Sequence, residues 1–247
     1  MNSRQDIYAF SSYFANRSVF TTDEIVSYFQ AQDSEINRNT INWRIYSLAK
    51  QGIIQRLKKG CFSLSVKQTF TPTIEKELLR LNKLIRHQFP FIETCIWNMS
   101  ILNLFSQHLS NKAIVLVEVE KDVAEQVFLF LRETKNNVYL NPSTELLQNY
   151  VFQTDKMVYI VKNLISEAPI TKVAEYNTIS LEKLLVDLFC DKTIFEAYQG
   201  RELHYIYSNI FNQFSINTAK LLRYATRRGK KNEFEKTLNQ ILGNNLK

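Results

Sequence analysis

Runs of apolar residues at helical spacing open the chain and give way to mixed helical and extended patterns further on. Helices are predicted over residues 4–15, over FTTDEIVSYFQ with Thr21 or Thr22 as its cap, and from near Asn37 to just before Gly52. The short runs IIQRL and CFSL follow, and a turn reading KKG lets them pair as a hairpin. Three helices and a hairpin in this order predict a winged helix-turn-helix.

Beyond residue 70, segments with apolar residues at helical spacing alternate with short apolar runs that are typical of strands. The segment IEKELLRLNKLIRHQF predicts an amphipathic helix whose apolar face holds Ile74, Leu78, Leu81 and Ile85. Apolar runs (FIETCIW, AIVLVEV, NVYLN and MVYIVKN) then alternate with helical patterns, which predicts a mixed α/β fold with a partly parallel sheet. From Ser180 onward only helices are predicted. The expected domains are therefore a winged helix over 1–70 and an α/β interaction domain ending in a helical bundle over 71–247.

Composition supports a globular protein with an anionic partner. The 247 residues are 45% hydrophobic and 22% charged, with a net charge of +7. No apolar run approaches the length of a membrane span, and MNSRQDIYAF lacks the apolar stretch of a secretory signal, so a cytoplasmic protein without a membrane partner is expected. Cys61, Cys95 and Cys190 are widely spaced, which favours reduced thiols over disulfides.

The third predicted helix has an outer face suited to DNA. Its inward positions are apolar, namely Ile41, Ile45 and Leu48. Its outward positions hold two amides and two aromatic rings, namely Asn39, Asn42, Trp43 and Tyr46. Amides can pair bidentately with adenine, and aromatic rings can contact thymine methyls or sugars. Arg38 sits near the helix start, where recognition helices touch base edges, and Thr40 could bond a phosphate there.

The hairpin turn adds the cations Arg56, Lys58 and Lys59, which a wing would lay along the phosphate backbone or the minor groove. No acidic residue occurs from Ile36 through Ile74. The alternative is that the aromatic rings pack against the next domain or a protein partner and that the lysines are only solvated. Taken together, the pattern favours double-stranded DNA as the partner.

A metal-dependent nuclease that uses the winged helix for targeting is the alternative function. In VEVEKD, strand alternation would place Glu118 and Glu120 on one face, with Asp155 or Lys162 as candidate neighbours. Restriction-type nucleases need a lysine where Glu120 stands. Charged ends of a strand beside a turn are the commoner explanation of this pattern.

Other catalytic patterns are weaker. His87, Cys95 and His108 lack the spacing of metal ligands. Cys190 could pair with His204 as a nucleophile, but it lies near the apolar stripe of its helix, which suits a buried thiol. Neither GxGxxG nor a P-loop is present. We therefore expect no enzymatic activity, no cofactor and no metal.

Three segments resemble AbiEi-type antitoxins of type IV toxin–antitoxin systems. NTINWRIYSLAKQGIIQRLKKGCFSL is similar to the helix and basic wing of their N-terminal domain, although Phe62 stands where tyrosine is common. TISLEKLLVDLF resembles a second family segment, with Leu181, Glu182 and Asp187 in matching places and Lys183 replacing arginine. LLRYATRRG near the C-terminus is the third match.

The resemblance implies a two-part protein. Its N-terminal domain would bind inverted repeats at its own promoter and repress transcription, as two copies on a palindromic operator. Its C-terminal domain would counter a nucleotidyltransferase-like toxin without forming a stable complex with it.

The C-terminal helices add two expectations. Arg223, Arg227 and Lys231 recur every four residues and, with Arg228, form a possible second basic surface for DNA, RNA or an acidic toxin. In SLEKLLVDLF the stripe expected to be buried consists of Leu181, Leu184, Leu185 and Leu188. Outside that stripe, Glu182 and Lys183 are expected to be solvated and Asp187 to cap or to pair locally with an arginine.

Overall fold

The computed structural model describes residues 4–65, 68–73 and 75–243, and these residues form two compact units. The first unit contains the described residues up to 69 together with 212–215. The second contains those of 70–211 and 216–243. The return of 212–215 to the first unit is not foreseeable from the hydrophobic pattern.

The first unit contains the three predicted helices and the predicted hairpin. Its elements are α1 (Arg4–Phe14), β1 (Phe20–Thr21), α2 (Thr22–Gln32), α3 (Arg38–Lys50), β2 (Ile54–Lys58) and β3 (Cys61–Leu64). The strands form an antiparallel sheet in the order β1-β3-β2, with β1 added to the outer side of the hairpin.

Local capping explains where these helices begin and end. Thr21 and Glu24 form a capping box at α2, in which Glu24 N donates to Thr21 Oγ1 at 3.3 Å and Thr21 N donates to Glu24 Oε2 at 2.6 Å. The Asn37 side chain accepts from Asn39 N at 2.8 Å and so caps α3. Gly52, at φ +71°, ends α3 in the left-handed conformation that glycine adopts without strain. The core beneath is rich in aromatic rings, including Phe10, Phe14, Phe20 and Phe29.

The second unit begins with α4 and a mixed four-stranded sheet. Its first elements are α4 (Lys76–Gln88), β4 (Thr94–Asn98), a 3-10 turn (Met99–Leu104), β5 (Ile114–Val119), α5 (Ala124–Thr134), β6 (Val138–Leu140), α6 (Thr144–Leu146) and β7 (Val158–Asn163). The strand order is β4-β5-β7-β6, in which β5, β7 and β6 run parallel and β4 antiparallel. The predicted mixed α/β fold with a partly parallel sheet is confirmed.

The remaining elements are a separate hairpin and the C-terminal helices. They are β8 (Ile170–Val173), β9 (Tyr176–Ile179), α7 (Leu181–Cys190), α8 (Arg201–Gln213), α9 (Thr218–Arg227) and α10 (Lys231–Leu242). The sequence pattern did not predict the β8–β9 hairpin. Among the described residues, no helix is both long enough and apolar enough to cross a membrane.

The two faces of the four-stranded sheet differ in chemistry. One face presents Ile96, Val115, Val117 and Val161 to the apolar sides of α4 and α5. In α4 the predicted residues Leu78, Leu81 and Ile85 are buried, and Ile74 lies outside the described residues. Because neighbouring residues of a strand point to opposite faces, Trp97, Glu118 and Lys162 lie on the other face.

Candidate nucleic-acid interface and buried charge network

The outward face of α3 is free of the core. Asn39, Asn42, Trp43 and Tyr46 stand at helical spacings of three and four residues, and all four are exposed. Trp43 is 56% and Tyr46 63% exposed, although aromatic rings of this size are usually covered. The opposite positions, Ile41, Ile45 and Leu48, are buried, so the predicted orientation of the helix is confirmed. The helix therefore presents hydrogen-bonding amides and apolar rings to solvent.

The N-terminus of α3 also presents polar groups. Arg38 and Thr40 are both exposed in its first turn. Arg38 Nη2 lies 3.4 Å from Asp23 Oδ1, and both side chains are largely exposed. A surface pair of this kind contributes little to stability, so Arg38 can exchange Asp23 for another anion at small cost.

The β2–β3 hairpin is anchored so that its cations project outward. In β2 only Ile54 is buried, which leaves Arg56 and Lys58 exposed, and Lys59 is exposed in the turn. The adjoining turn residue Gly60 has φ +77°, and its carbonyl accepts from Thr22 N at 2.9 Å. No described carboxylate lies within 4.0 Å of the nitrogens of the three cations. Their charges are therefore available to an anionic partner.

The possible second basic surface is smaller than its sequence suggests. Arg223, Arg227 and Lys231 line one shallow groove together with Glu167, and Arg227 is paired with that carboxylate. Arg228 does not belong to this surface. Its guanidinium is only 12% exposed and bonds to Asp187 of α7 and to Asp191, the residue that follows α7.

Lys183 is the centre of a buried charge network, contrary to the expectation that it is solvated. Its ammonium is fully buried and lies 2.6 Å and 2.7 Å from the two carboxylate oxygens of Glu118, and 2.5 Å from Asp187 Oδ2. Trp97 Nε1 donates to Glu118 Oε1 at 2.9 Å. Glu182 is only partly exposed and accepts from the backbone N of Asn217, the N-cap residue of α9, at 2.9 Å.

The network continues from Asp187 toward the ends of the parallel strands. Arg228 Nη1 donates to Asp187 Oδ1 at 2.8 Å, so Asp187 does pair with an arginine, but with one 41 residues away rather than with a local one. Tyr224 OH donates to the same oxygen at 2.9 Å. Arg228 Nη2 donates to Asp191 Oδ1 at 2.6 Å, and Lys162 Nζ donates to Asp191 Oδ2 at 2.6 Å. Acids and bases thus alternate along the chain of contacts.

Opposed effects set the pKa values in this network. Burial lowers the pKa of Lys183, but the charges of Asp187 and Glu118 outweigh it and hold that pKa well above its usual value. Burial raises the pKa of Asp191, while Lys162 and Arg228 lower it, and the net result is a lowered pKa. Both groups are therefore charged at neutral pH.

The carboxylates considered for the alternative nuclease site lie in different surroundings. Glu118 is 1% exposed, and Lys183 and Trp97 already occupy its oxygens. Glu120 is exposed at the end of β5, and Asp155 pairs with Lys112 at 2.9 Å. Among the described residues no group of three or more His, Cys, Asp and Glu side chains could hold a metal ion.

The cysteine candidates lack an activated thiolate. Burial raises the pKa of Cys95 well above its usual value. Burial likewise raises the pKa of Cys190 to about 11, so its thiol is neutral at physiological pH. His204 is exposed on α8.

Two of the segments that resemble the antitoxin family meet in the network. LEKLLVDL supplies Lys183 and Asp187, and LLRYATRRG supplies Tyr224 and Arg228. These residues connect α7 with α9 and with the residue that follows α9. The pairing of Lys183 with Asp187 is visible in the sequence, because the two residues are four positions apart on one helix. The pairing of Lys183 with Glu118 is not, because 65 residues separate them.

The chain belongs to a protein family described as a family of unknown function (DUF6577), which matches residues 40–244. None of the curated proteins compared with the chain matches it.

Proposed function

We propose that this member of the family binds double-stranded DNA through α3 and the β2–β3 hairpin, acting as a winged helix-turn-helix. The observation that carries the proposal is the exposed side of α3, which holds amides and aromatic rings while its opposite side forms the core. A helix followed by a hairpin with unpaired cations suits a duplex, since the helix fits the major groove and the hairpin reaches the backbone.

Each group would have a distinct role in the complex. Asn39 and Asn42 would read base edges in the major groove, where an amide can pair with adenine. Trp43 and Tyr46 would contact thymine methyls or sugars. Thr40, in the first turn of α3, would meet a phosphate that the helix N-terminus also favours. The hairpin cations would add affinity without sequence preference.

A regulatory role extends this proposal and rests on the resemblance to AbiEi-type antitoxins. The protein would act in the cytoplasm, repress its own operon from an inverted repeat, and counter a nucleotidyltransferase-like toxin. Co-expression with a toxin encoded beside it should restore growth, and Lys58→Ala/Lys59→Ala should weaken repression of a reporter while leaving that rescue intact. Loss of rescue in this variant would contradict the assignment of toxin control to the C-terminal region.

The affinity test uses Lys58→Ala/Lys59→Ala and fluorescence anisotropy on specific and random duplexes at several salt concentrations. Because each lost phosphate contact removes about 0.9 from the slope of log K against log salt, we expect the slope to fall by about 2. Affinity should fall on both duplexes. The control is Lys121→Ala/Lys156→Ala, two exposed lysines of the second unit, which should leave both quantities unchanged. Equal losses in the two double variants would reject the hairpin as a DNA contact.

The specificity test uses Asn42→Ala and Trp43→Ala with operator DNA selected from a random pool. A good base contact contributes roughly 1–3 kcal/mol of discrimination, so each change should bring specific binding closer to random binding. Random-duplex affinity should remain within about twofold because the phosphate contacts are intact. A uniform loss on all duplexes would show that α3 does not read bases.

A further inference from the structure

The C-terminal half of α4 and the β8–β9 hairpin enclose a groove of about 470 Å³ that shares no residue with the proposed DNA interface or the buried network. Lys83 and Arg86 reach it from α4, and Lys172 reaches it from β8. His87 and Glu175 complete the polar lining. Two elements far apart in sequence thus bring several cationic groups to one small volume.

The groove keeps a net positive charge, since three cationic side chains and one carboxylate residue, Glu175, line it. In the part of the chain that the structure describes, no carboxylate oxygen lies within 4.0 Å of the charged nitrogens of Lys83, Arg86 or Lys172. Arg86 Nη1 instead donates to the backbone carbonyl of Glu175 at 3.2 Å. The dipole at the C-terminus of α4 favours Arg86 on the helix. It does not account for Lys172, which comes from the hairpin.

The hairpin turn shapes the groove at some conformational cost. Ala174 has φ +51°, a left-handed conformation that is unfavourable for a residue with a Cβ. The turn directs the Glu175 carbonyl toward α4, where Arg86 and Asn82 both donate to it. Strained backbone of this kind persists where the surrounding structure holds it, and it is frequent at ligand sites.

Asn82 provides a second, independent indication of a ligand. Its side chain lines the groove and is 2% exposed, yet its hydrogen bond to the Glu175 carbonyl is long, at 3.5 Å from Nδ2. Among the described residues, no group donates to Asn82 Oδ1. Buried acceptors of this kind are rare in folded proteins, because they have lost water without gaining a partner. A ligand that carries a hydrogen-bond donor would satisfy this acceptor.

We infer that the groove binds a small hydroxylated phosphate monoester, of the sugar-phosphate class. Lys83, Arg86 and Lys172 would hold the phosphate through charge-assisted hydrogen bonds, and a ligand hydroxyl would donate to Asn82 Oδ1. The volume suits a small molecule. Lys83 and Arg86 lie within one turn of α4, and Lys172 lines the same groove from β8, so the three cations form a compact cluster. A nucleic-acid backbone would instead require a long track of cations.

The test is isothermal titration calorimetry of the full chain with ribose 5-phosphate, with inorganic phosphate and ribose as partial ligands. We expect ribose 5-phosphate to bind most tightly, inorganic phosphate more weakly, and ribose not at all. Arg86→Gln/Lys172→Gln should weaken binding of ribose 5-phosphate at least about tenfold, which corresponds to one charge-assisted hydrogen bond. Asn82→Leu should reduce the advantage of ribose 5-phosphate over inorganic phosphate.

Matched variants keep the result interpretable. Arg80→Gln removes an exposed arginine of α4 that does not line the groove, and it should leave binding within about twofold. If loss of the Arg86 contact prevents folding, Lys83→Gln/Lys172→Gln is titrated in its place and should show the same weakened binding of ribose 5-phosphate. No binding of ribose 5-phosphate at about 10 mM, or an equal loss in Arg80→Gln, would overturn the inference. So would weakened duplex binding in Lys83→Gln/Lys172→Gln, since the groove would then belong to a nucleic-acid surface.

Discussion

The ammonium of Lys183 has no contact with water, and two carboxylates replace its hydration shell. Removing a charge from water costs several kcal/mol, and the attraction within a dry interior offsets this only when the hydrogen bonds are well made. Here three short bonds join Lys183 to Glu118 and Asp187, and Trp97 and Tyr224 satisfy further carboxylate lone pairs. Removing one charged partner alone should therefore destabilise the protein more than removing two opposite charges together.

Replacing Lys183 with methionine tests this vulnerability. The side chain keeps a similar volume, but Glu118 and Asp187 lose their shared counter-charge. We expect the free energy of unfolding to fall by about 3–5 kcal/mol, the usual cost of leaving a buried charge unpaired. Chemical denaturation followed by the fluorescence of buried Trp97 would measure it.

A double variant separates lost charge from lost packing. Glu118→Gln/Lys183→Met removes one orphaned carboxylate while Gln Oε1 can still accept from Trp97. It should therefore be at least about 1 kcal/mol more stable than the sum of the single changes predicts. Lys156→Met, at an exposed position, should change stability by less than about 0.5 kcal/mol. Strict additivity would mean that Glu118 and Lys183 do not interact energetically.

Asp191 makes the stability of the folded protein depend on pH in the acidic range. Because its pKa is lowered on folding, the folded state binds a proton less readily than the unfolded state does. This contribution is fully present above the unfolded pKa of about 3.9 and is lost as pH falls through the lower folded pKa. In Asp191→Asn, the unfolding midpoint should consequently decline less steeply below about pH 4 than in the wild type. Asp122→Asn, at an exposed carboxylate, is the control and should retain the wild-type steepness.

At the scale of the helix, the end of α3 depends on a glycine. Gly52 and Gly229 both follow a helix with φ near +70°, at +71° and +66°. A Cβ at Gly52 would lie 2.6 Å from Thr69 Oγ1, which donates to Gln51 O at 2.7 Å, whereas nothing lies within 4 Å of one at Gly229. Gly229→Ala therefore adds only the left-handed strain, and Gly52→Ala adds a steric clash.

Differential scanning calorimetry can compare the two substitutions. We expect Gly229→Ala to cost roughly 1–2 kcal/mol, and Gly52→Ala to cost about 1 kcal/mol more because the Thr69 hydrogen bond is displaced. Equal losses would show that the clash is relieved without energetic consequence. A loss confined to Gly229→Ala would contradict the proposed geometry at both helix ends.

Elements with strong local signals are those that the sequence pattern predicts correctly. Thr21 and Asn37 cap their helices, and Gly52 ends α3, because capping depends only on near neighbours in the chain. Strand β1 has only two residues, which are too few to show the alternation of apolar and polar residues that marks a strand. It forms because Phe20 pairs with Phe62 of β3. The β8–β9 hairpin was missed because its Ala174–Glu175 turn lacks the glycine that usually marks such turns.

At the scale of the whole molecule, the buried network leaves the positive charge outside. Glu118, Asp187 and Asp191 balance Lys162, Lys183 and Arg228, so the six groups contribute no net charge. The formal excess of +7 therefore resides on other side chains. The exposed residues of α3 that are proposed to contact DNA could be found from the sequence, because α3 is amphipathic. The network could not, because strand β5 and helices α7 and α9 meet only in the folded chain.

The two tryptophans make a final test of the DNA proposal possible, because one lies in each unit and their exposures differ. Trp43 is 56% exposed on α3, whereas Trp97 is 1% exposed. Acrylamide should therefore quench mainly Trp43 in the free protein. Operator DNA that covers α3 should lower the quenching constant of the wild type severalfold, since the duplex shields the indole ring. In Trp43→Phe the remaining fluorescence should be weakly quenched with or without DNA. If DNA bound tightly while Trp43 stayed as accessible as before, the duplex would have to contact a surface other than α3.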